Sequence, residues 1–159
     1  MAPFFMFATS SILGTVAAAA ESWGRNIRWV SLKEGQKLAR EQKKPAMVVI
    51  TKTWCRACKA LRPQFASNKE IEKMSNDFIM INLEDDDEPK GIDLQPDGTY
   101  YPRVVFLDHN GSVMRNVMYK KTGGYKYYYP HATAIAHNMK EVLKVSSKQR
   151  KAPLSPKGM

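Results

Sequence analysis

Two stretches of this chain are apolar almost without interruption, Ala46 to Thr51 and Phe78 to Leu83. Both have the length of a strand and the continuous apolar pattern of one that is covered on two faces. Asn26 to Val30 is a shorter strand candidate, and Val104 to Leu107 is another. Ser112 to Arg115 follows that run across Asp108-His109-Asn110-Gly111, whose Asn-Gly pair predicts a hairpin. Helical spacing fills the intervals. Ser31 and Glu34 spell a capping box for a helix that should reach about Gln42 and stop before Pro45. A second helix is expected from Cys55 through Leu61 to Phe65, kinked at Pro63, which lacks a backbone donor and crowds the preceding turn. Ser67 to Glu70 offers a second capping box, for a short helix to about Met74. The last helix should begin near His131 and place Ile135, Met139, Val142 and Leu143 on one apolar face.

The elements thus alternate as β-α-β, then a strand, a hairpin and a closing helix. That order makes a central mixed sheet with helices on both faces, and right-handed crossovers leave few other arrangements. The expected fold class is α/β with the thioredoxin architecture. A chain of 159 residues has room for one such domain and not for two ordinary ones. Its expected limits are residues 21–145.

The two ends change the picture. Met1 to Ala20 carries no charge and closes on four alanines, the outline of a signal peptide cleaved near Ala20. An uncleaved anchor is the rival reading, since the run is near the lower length for spanning a bilayer. Thr9, Ser10, Ser11, Gly14 and Thr15 dilute it, and no second segment is apolar enough to cross. No stable membrane insertion is therefore expected after cleavage. Either reading places the domain on the lumenal side, where disulfides persist. The net charge is +10, and Lys144 to Met159 holds five basic residues and no acid. Residues 146–159 read as a basic disordered tail. It lacks interleaved aromatics, so nucleic acid is not an expected partner.

The only two cysteines stand in Trp54-Cys55-Arg56-Ala57-Cys58, directly after an apolar strand. Two cysteines cannot make a disulfide framework for a domain of this size, so reactivity explains them better than stapling. Disulfide exchange needs a thiolate to attack and a second thiol to resolve the mixed disulfide. At a helix start, the first sulfur meets free N–H groups that stabilise its charge. Cys55 is thus the expected nucleophile and Cys58 the resolving thiol. Arg56, between them, should favour the Cys55 thiolate and raise the reduction potential above thioredoxin's, about −270 mV; if its side chain instead points into water, the effect is screened. Trp54 reads as a shield and substrate platform or as an ordinary half-buried aromatic. Tyr101-Pro102 opens a strand, where a cis bond would expose backbone groups to an extended substrate.

Four other features compete for a role. Cys55, Cys58, His131 and His137 spell a zinc-like set, but the 72-residue gap departs from finger spacing; no metal is expected. Glu84 to Glu88 is acidic yet lacks the alternating ligands of a calcium loop, and reads as solvated. Tyr125 to Pro130 supplies amphipathic rings for partners or for packing. Asn110-Gly111-Ser112 is a candidate N-glycosylation sequon on the hairpin turn.

Residues 29–143 resemble the small endoplasmic-reticulum thioredoxin-like family that includes thioredoxin domain-containing protein 12 and the anterior-gradient proteins. The likeness rests on Thr53 through Leu61, Asn82 to Asp85, Glu88 to Lys90, Pro96 to Gly98, Tyr101 to Arg103, Phe106 to Asp108, and Tyr125 to Tyr127. It implies a protein-disulfide oxidoreductase with protein thiol or disulfide clients, glutathione as redox partner and no other cofactor. The paired cysteines look like the two-cysteine branch. The resemblance carries the nucleophile onto Cys55, the resolving role onto Cys58 and a cis-proline onto Pro102. Three positions depart from the pattern. Arg56 stands where that branch usually has Gly, and Val49 stands where thioredoxin keeps a buried acid. The chain ends Ser155 to Met159 instead of in a KDEL-like signal, so the expected location is the endoplasmic-reticulum lumen or outside the cell.

Overall fold

Ala46–Thr51 is buried at every position, and forms β2, the strand on which the rest of the sheet is assembled. In the computed structural model, which describes residues 18–90, 93–120 and 123–151, the order is α1 (Ala18–Glu21), β1 (Trp29–Val30), α2 (Leu32–Gln42), β2, α3 (Arg56–Ala66), α4 (Lys69–Met74), β3 (Ile79–Glu84), β4 (Arg103–Leu107) and α5 (Ala132–Lys151). Residues 1–17, where most of the expected leader falls, lie outside the described residues, as do residues 152–159. The sheet order is β1-β3-β2-β4, with β3 parallel to both β1 and β2 and β4 antiparallel to β2. This is the expected thioredoxin-like fold.

Two cores follow from strand alternation. On one face, Met47, Val49, Met80, Val104 and Phe106 pack against both cysteines, Leu61 and Phe65 of α3, Ile71 of α4, and Ile135, Met139 and Val142 of α5. On the other, Val48, Ile50, Ile81 and Val105 meet Leu32 and Ala39 of α2. Each large aliphatic side chain removed from water contributes about 1.5–3 kcal/mol before entropy is subtracted. Helix α2 lies especially close. A Cβ built on Gly35 would stand 2.5 Å from Cδ1 of Ile81 and 3.3 Å from Val30. Gly35→Ala should therefore cost about 1–2 kcal/mol even after its gain in helix propensity, read as a lower urea midpoint. An unchanged midpoint would mean that Ile81 yields freely.

Local signals mostly act as expected. Ser31 Oγ accepts the Glu34 N–H at 3.3 Å, and α2 ends at Gln42. Helix α3 continues through Pro63 to Ala66. The second cap differs: Asn68, not Ser67, accepts the Ile71 N–H, at 3.0 Å, while the Ser67 hydroxyl donates back to Pro63 O at 2.8 Å. Closure of α3 competes for Ser67 and wins.

Two larger differences involve tertiary contacts. The hairpin turn forms, with Gly111 at φ +89° and the Asp108 carboxylate accepting N–H groups from Asn110 and Ser112. Its return arm, however, makes one isolated β-bridge, Leu107 to Val113, so among the described residues the sheet has four strands and not five. The outer edge of β4 is divided instead. Met114 N–H donates to Phe106 O, while Val104 N–H donates to Tyr127 O, so the tyrosine-rich segment covers the Val104 end of the edge a fifth strand would have taken. Helix α5 also runs to Lys151, through six residues expected to be disordered. Ser146, Gln149 and Arg150 face the Lys43–Pro45 turn and Asp108-His109 across a small surface cleft. Lys, Gln and Arg are also good helix formers. The tyrosine segment anchors α5 as well: Asn138 donates to the buried Tyr129 hydroxyl at 2.6 Å, and burial pushes that phenol well above its ordinary pKa.

Candidate active site

Between Thr51 and Arg56 the chain turns from the central strand into α3. Cys55 N–H donates to Lys52 O at 3.1 Å, closing the turn. The turn is laced to the end of β3. The Thr53 N–H donates to Asp85 Oδ1 at 2.9 Å, and Lys52 Nζ to Asp85 O at 2.8 Å. Asp85 itself adopts a left-handed backbone, φ 53°. The acidic run is therefore not a merely solvated loop. Asp85 caps the cysteine turn, and Glu88 and Glu84 have the partners described below.

Cys55 is the N-cap of α3, in extended conformation, and its Sγ accepts the Cys58 N–H at 3.1 Å. A sulfur thus occupies the position usually held by a Ser or Asp oxygen. The two cysteines form a disulfide with Cα atoms 5.2 Å apart, inside the ordinary range. Cys55 retains 4% of its surface and Cys58 none. No acidic residue stands in the first turn of α3, and Arg56 is exposed at its first position. Once reduced, this site offers Cys55 a helix N-terminus with no competing anion in that turn.

The rim is aromatic. Trp54 is 71% exposed and meets the edge of Tyr101 at 5.9 Å. The Tyr101-Pro102 peptide bond is cis. Lys52 Nζ and the Arg103 guanidinium lie 5.0 Å and 5.1 Å from the Tyr101 ring centre. Arg103, which no sequence motif marks for a role, is fully buried at the start of β4. Its Nε donates to Leu94 O at 3.1 Å and its Nη1 to Tyr100 O at 2.9 Å, while Nη2 pairs with Glu88. The other Glu88 oxygen accepts the Tyr101 hydroxyl at 3.3 Å. One guanidinium therefore fastens the loop that delivers Tyr101-Pro102. An arginine heading an apolar strand was the available signal, because a buried guanidinium requires several fixed acceptors.

The remaining candidates lie elsewhere. His131 and His137 border a groove between α5 and residues 116–120. They do not join the cysteines: among the described residues no group of three or more His, Cys, Asp or Glu side chains could hold a metal ion. Asn110 and Ser112 are exposed at the turn after β4. Because β4 runs antiparallel to β2, with Leu107 opposite Ala46, that turn is at the far end of the sheet from Cys55. Among the described residues, no helix is long and apolar enough to cross a membrane.

A mixed sheet of this order, with a cysteine pair capping the helix after its central strand, defines a thioredoxin-fold protein carrying a redox-type disulfide. A family described as thioredoxin-like matches residues 28–109. Anterior gradient protein 3 of Mus musculus is 36% identical over 129 residues, covering 79% of this chain and 77% of that protein. Anterior gradient protein 2 homolog of Homo sapiens is 31% identical over 128 residues, covering 79% and 72%. The chain belongs to the anterior gradient protein family. Among solved structures, a DsbH oxidoreductase matches with TM-score 0.55 at 18% identity, over 87% of this chain and 96% of that one. A thioredoxin from Thermus thermophilus matches with TM-score 0.55 at 16% identity, over 79% and 94%. These two likenesses concern the fold alone.

Proposed function

We propose that the protein is a thiol–disulfide oxidoreductase of the secretory pathway. It exchanges disulfides with protein clients through Cys55 and Cys58, with glutathione as the redox partner. The observation that carries this reading is the placement of Cys55: N-cap of α3, sulfur accepting a backbone N–H, and Cys58 already at bonding distance. Stabilisation of the Cys55 thiolate by the helix terminus favours the reduced form, while the exposed Arg56 charge is screened by solvent. The pair should therefore be more oxidising than thioredoxin's, about −270 mV. Trp54 and the half-buried Tyr101 form the surface that meets the client, Pro102 itself being buried. Retention of both cysteines supports an enzyme over a module that only binds clients.

The deciding experiment is insulin reduction, with oxidation of reduced ribonuclease in parallel, by the wild type and by Cys55→Ser. Wild-type turnover above background and loss of that turnover in the variant are expected. Equal rates would leave client binding without catalysis, with the exposed Trp54 rim as its surface.

A further inference from the structure

Cys58 is completely buried and, unlike Cys55, which is also buried but caps α3, it lies inside the helix. Burial disfavours a thiolate, yet only a thiolate can attack the mixed disulfide. A buried resolving cysteine therefore requires a proton acceptor on its own side of the sheet. The alternation of β2, β3 and β4 turns Met47, Val49, Thr51, Met80, Asn82, Glu84, Val104 and Phe106 toward that side. Glu84 is the one carboxylate in that set, and α3 contains no acid.

Its contacts draw Glu84 beneath α3. Glu84 Oε2 lies 3.5 Å from Nη2 of Arg62, which follows Cys58 by about one helical turn. The same oxygen accepts the Thr51 hydroxyl at 3.5 Å. The Arg62 guanidinium is itself held 5.6 Å over the Trp23 ring, and the Glu84 side chain is only 14% exposed. Two further donors on this side, Arg62 Nε and Asn82 Nδ2, are buried without a protein acceptor. A bridging water would satisfy them, and polar sites of this kind retain buried water.

We propose that Glu84, oriented by Arg62, accepts the Cys58 proton when the mixed disulfide is resolved. The idea rests on the exchange reading above and assigns its second step. In the first step, the Cys55 thiolate attacks a client disulfide and releases one client sulfur as thiolate. The Cys58 thiol then passes its proton to the Glu84 carboxylate, directly or through one water. The Cys58 thiolate attacks Cys55 Sγ, forming the Cys55–Cys58 bond as the Cys55–client bond breaks. The second client sulfur leaves with the bonding electron pair and is protonated by solvent, and Glu84 returns its proton to solvent. Two electrons have passed from the cysteine pair to the client disulfide.

The test is single-turnover kinetics of the reduced full chain with a fluorescent disulfide-bonded peptide, which separates formation of the mixed disulfide from its decay. Glu84→Gln should slow decay about a hundredfold or more while changing formation by less than about twofold. Glu84→Asp should recover part of the loss. Decay at the wild-type rate in Glu84→Gln, or equal slowing of both steps, would overturn the assignment and leave the exchange reading standing. Failure of the wild type to form any Cys55-linked mixed disulfide would remove both.

Discussion

Arg103→Met is expected to lower the unfolding free energy by about 3–5 kcal/mol, because it leaves a buried carboxylate without its countercharge. Arg103 is wholly buried, and Glu88 retains only 9% of its side-chain surface. The substitution also strips the Leu94 and Tyr100 carbonyls of their donors. Removing both charges should hurt less than removing one, so Arg103→Met with Glu88→Gln should recover part of the loss. Salt should not imitate the effect, since a desolvated pair is poorly screened. Urea unfolding of the two single variants and the double variant checks this. A loss under about 1 kcal/mol would place the pair with exposed ion pairs and contradict its burial.

Phe65→Ala should cost a similar amount, about 3–5 kcal/mol, as a large-to-small change in a closed core. The Phe65 ring is 1% exposed, 5.4 Å edge-on from Trp23 and 5.9 Å from Trp29. Trp23 follows α1 and Trp29 lies in β1, so this ring joins the amino-terminal elements and the edge strand to α3. Beyond the lost area, each aromatic pair adds about 0.5–1.5 kcal/mol. Tryptophan fluorescence should therefore change together with the urea midpoint. A shifted midpoint with native fluorescence would mean that α3 is destabilised without loosening β1.

Much of the fold was legible because short-range chemistry specified it. The runs at Ala46 and Phe78 could bury two faces only as inner strands, and the Ser31 cap needed nothing beyond its own helix. The cysteine pair was equally plain, because spacing and position after a strand suffice to place a sulfur at a helix N-cap. Signals that compete with distant contacts do not decide the structure by themselves. Ser112 to Arg115 has the composition of a strand, but Tyr127 reaches part of the edge it would have paired with. Ser146 to Lys151 reads as tail, yet continues α5, with Ser146, Gln149 and Arg150 bordering a surface cleft beside the Lys43–Pro45 turn. Within the acidic run, composition could not distinguish Glu84 and Glu88 from Asp86. Only the approach of Arg62 and Arg103, distant in sequence, separates them.

Sequence alone determined the α/β class, the strand that carries the site, and which two sulfurs meet. Periodicity, caps and a two-residue spacing act over a few residues and need no partner elsewhere in the chain. Tertiary structure decided which charges are buried, what covers the edge of β4, and which carboxylate lies beneath α3. Those outcomes depend on desolvation, and desolvation exists only after remote segments have packed together.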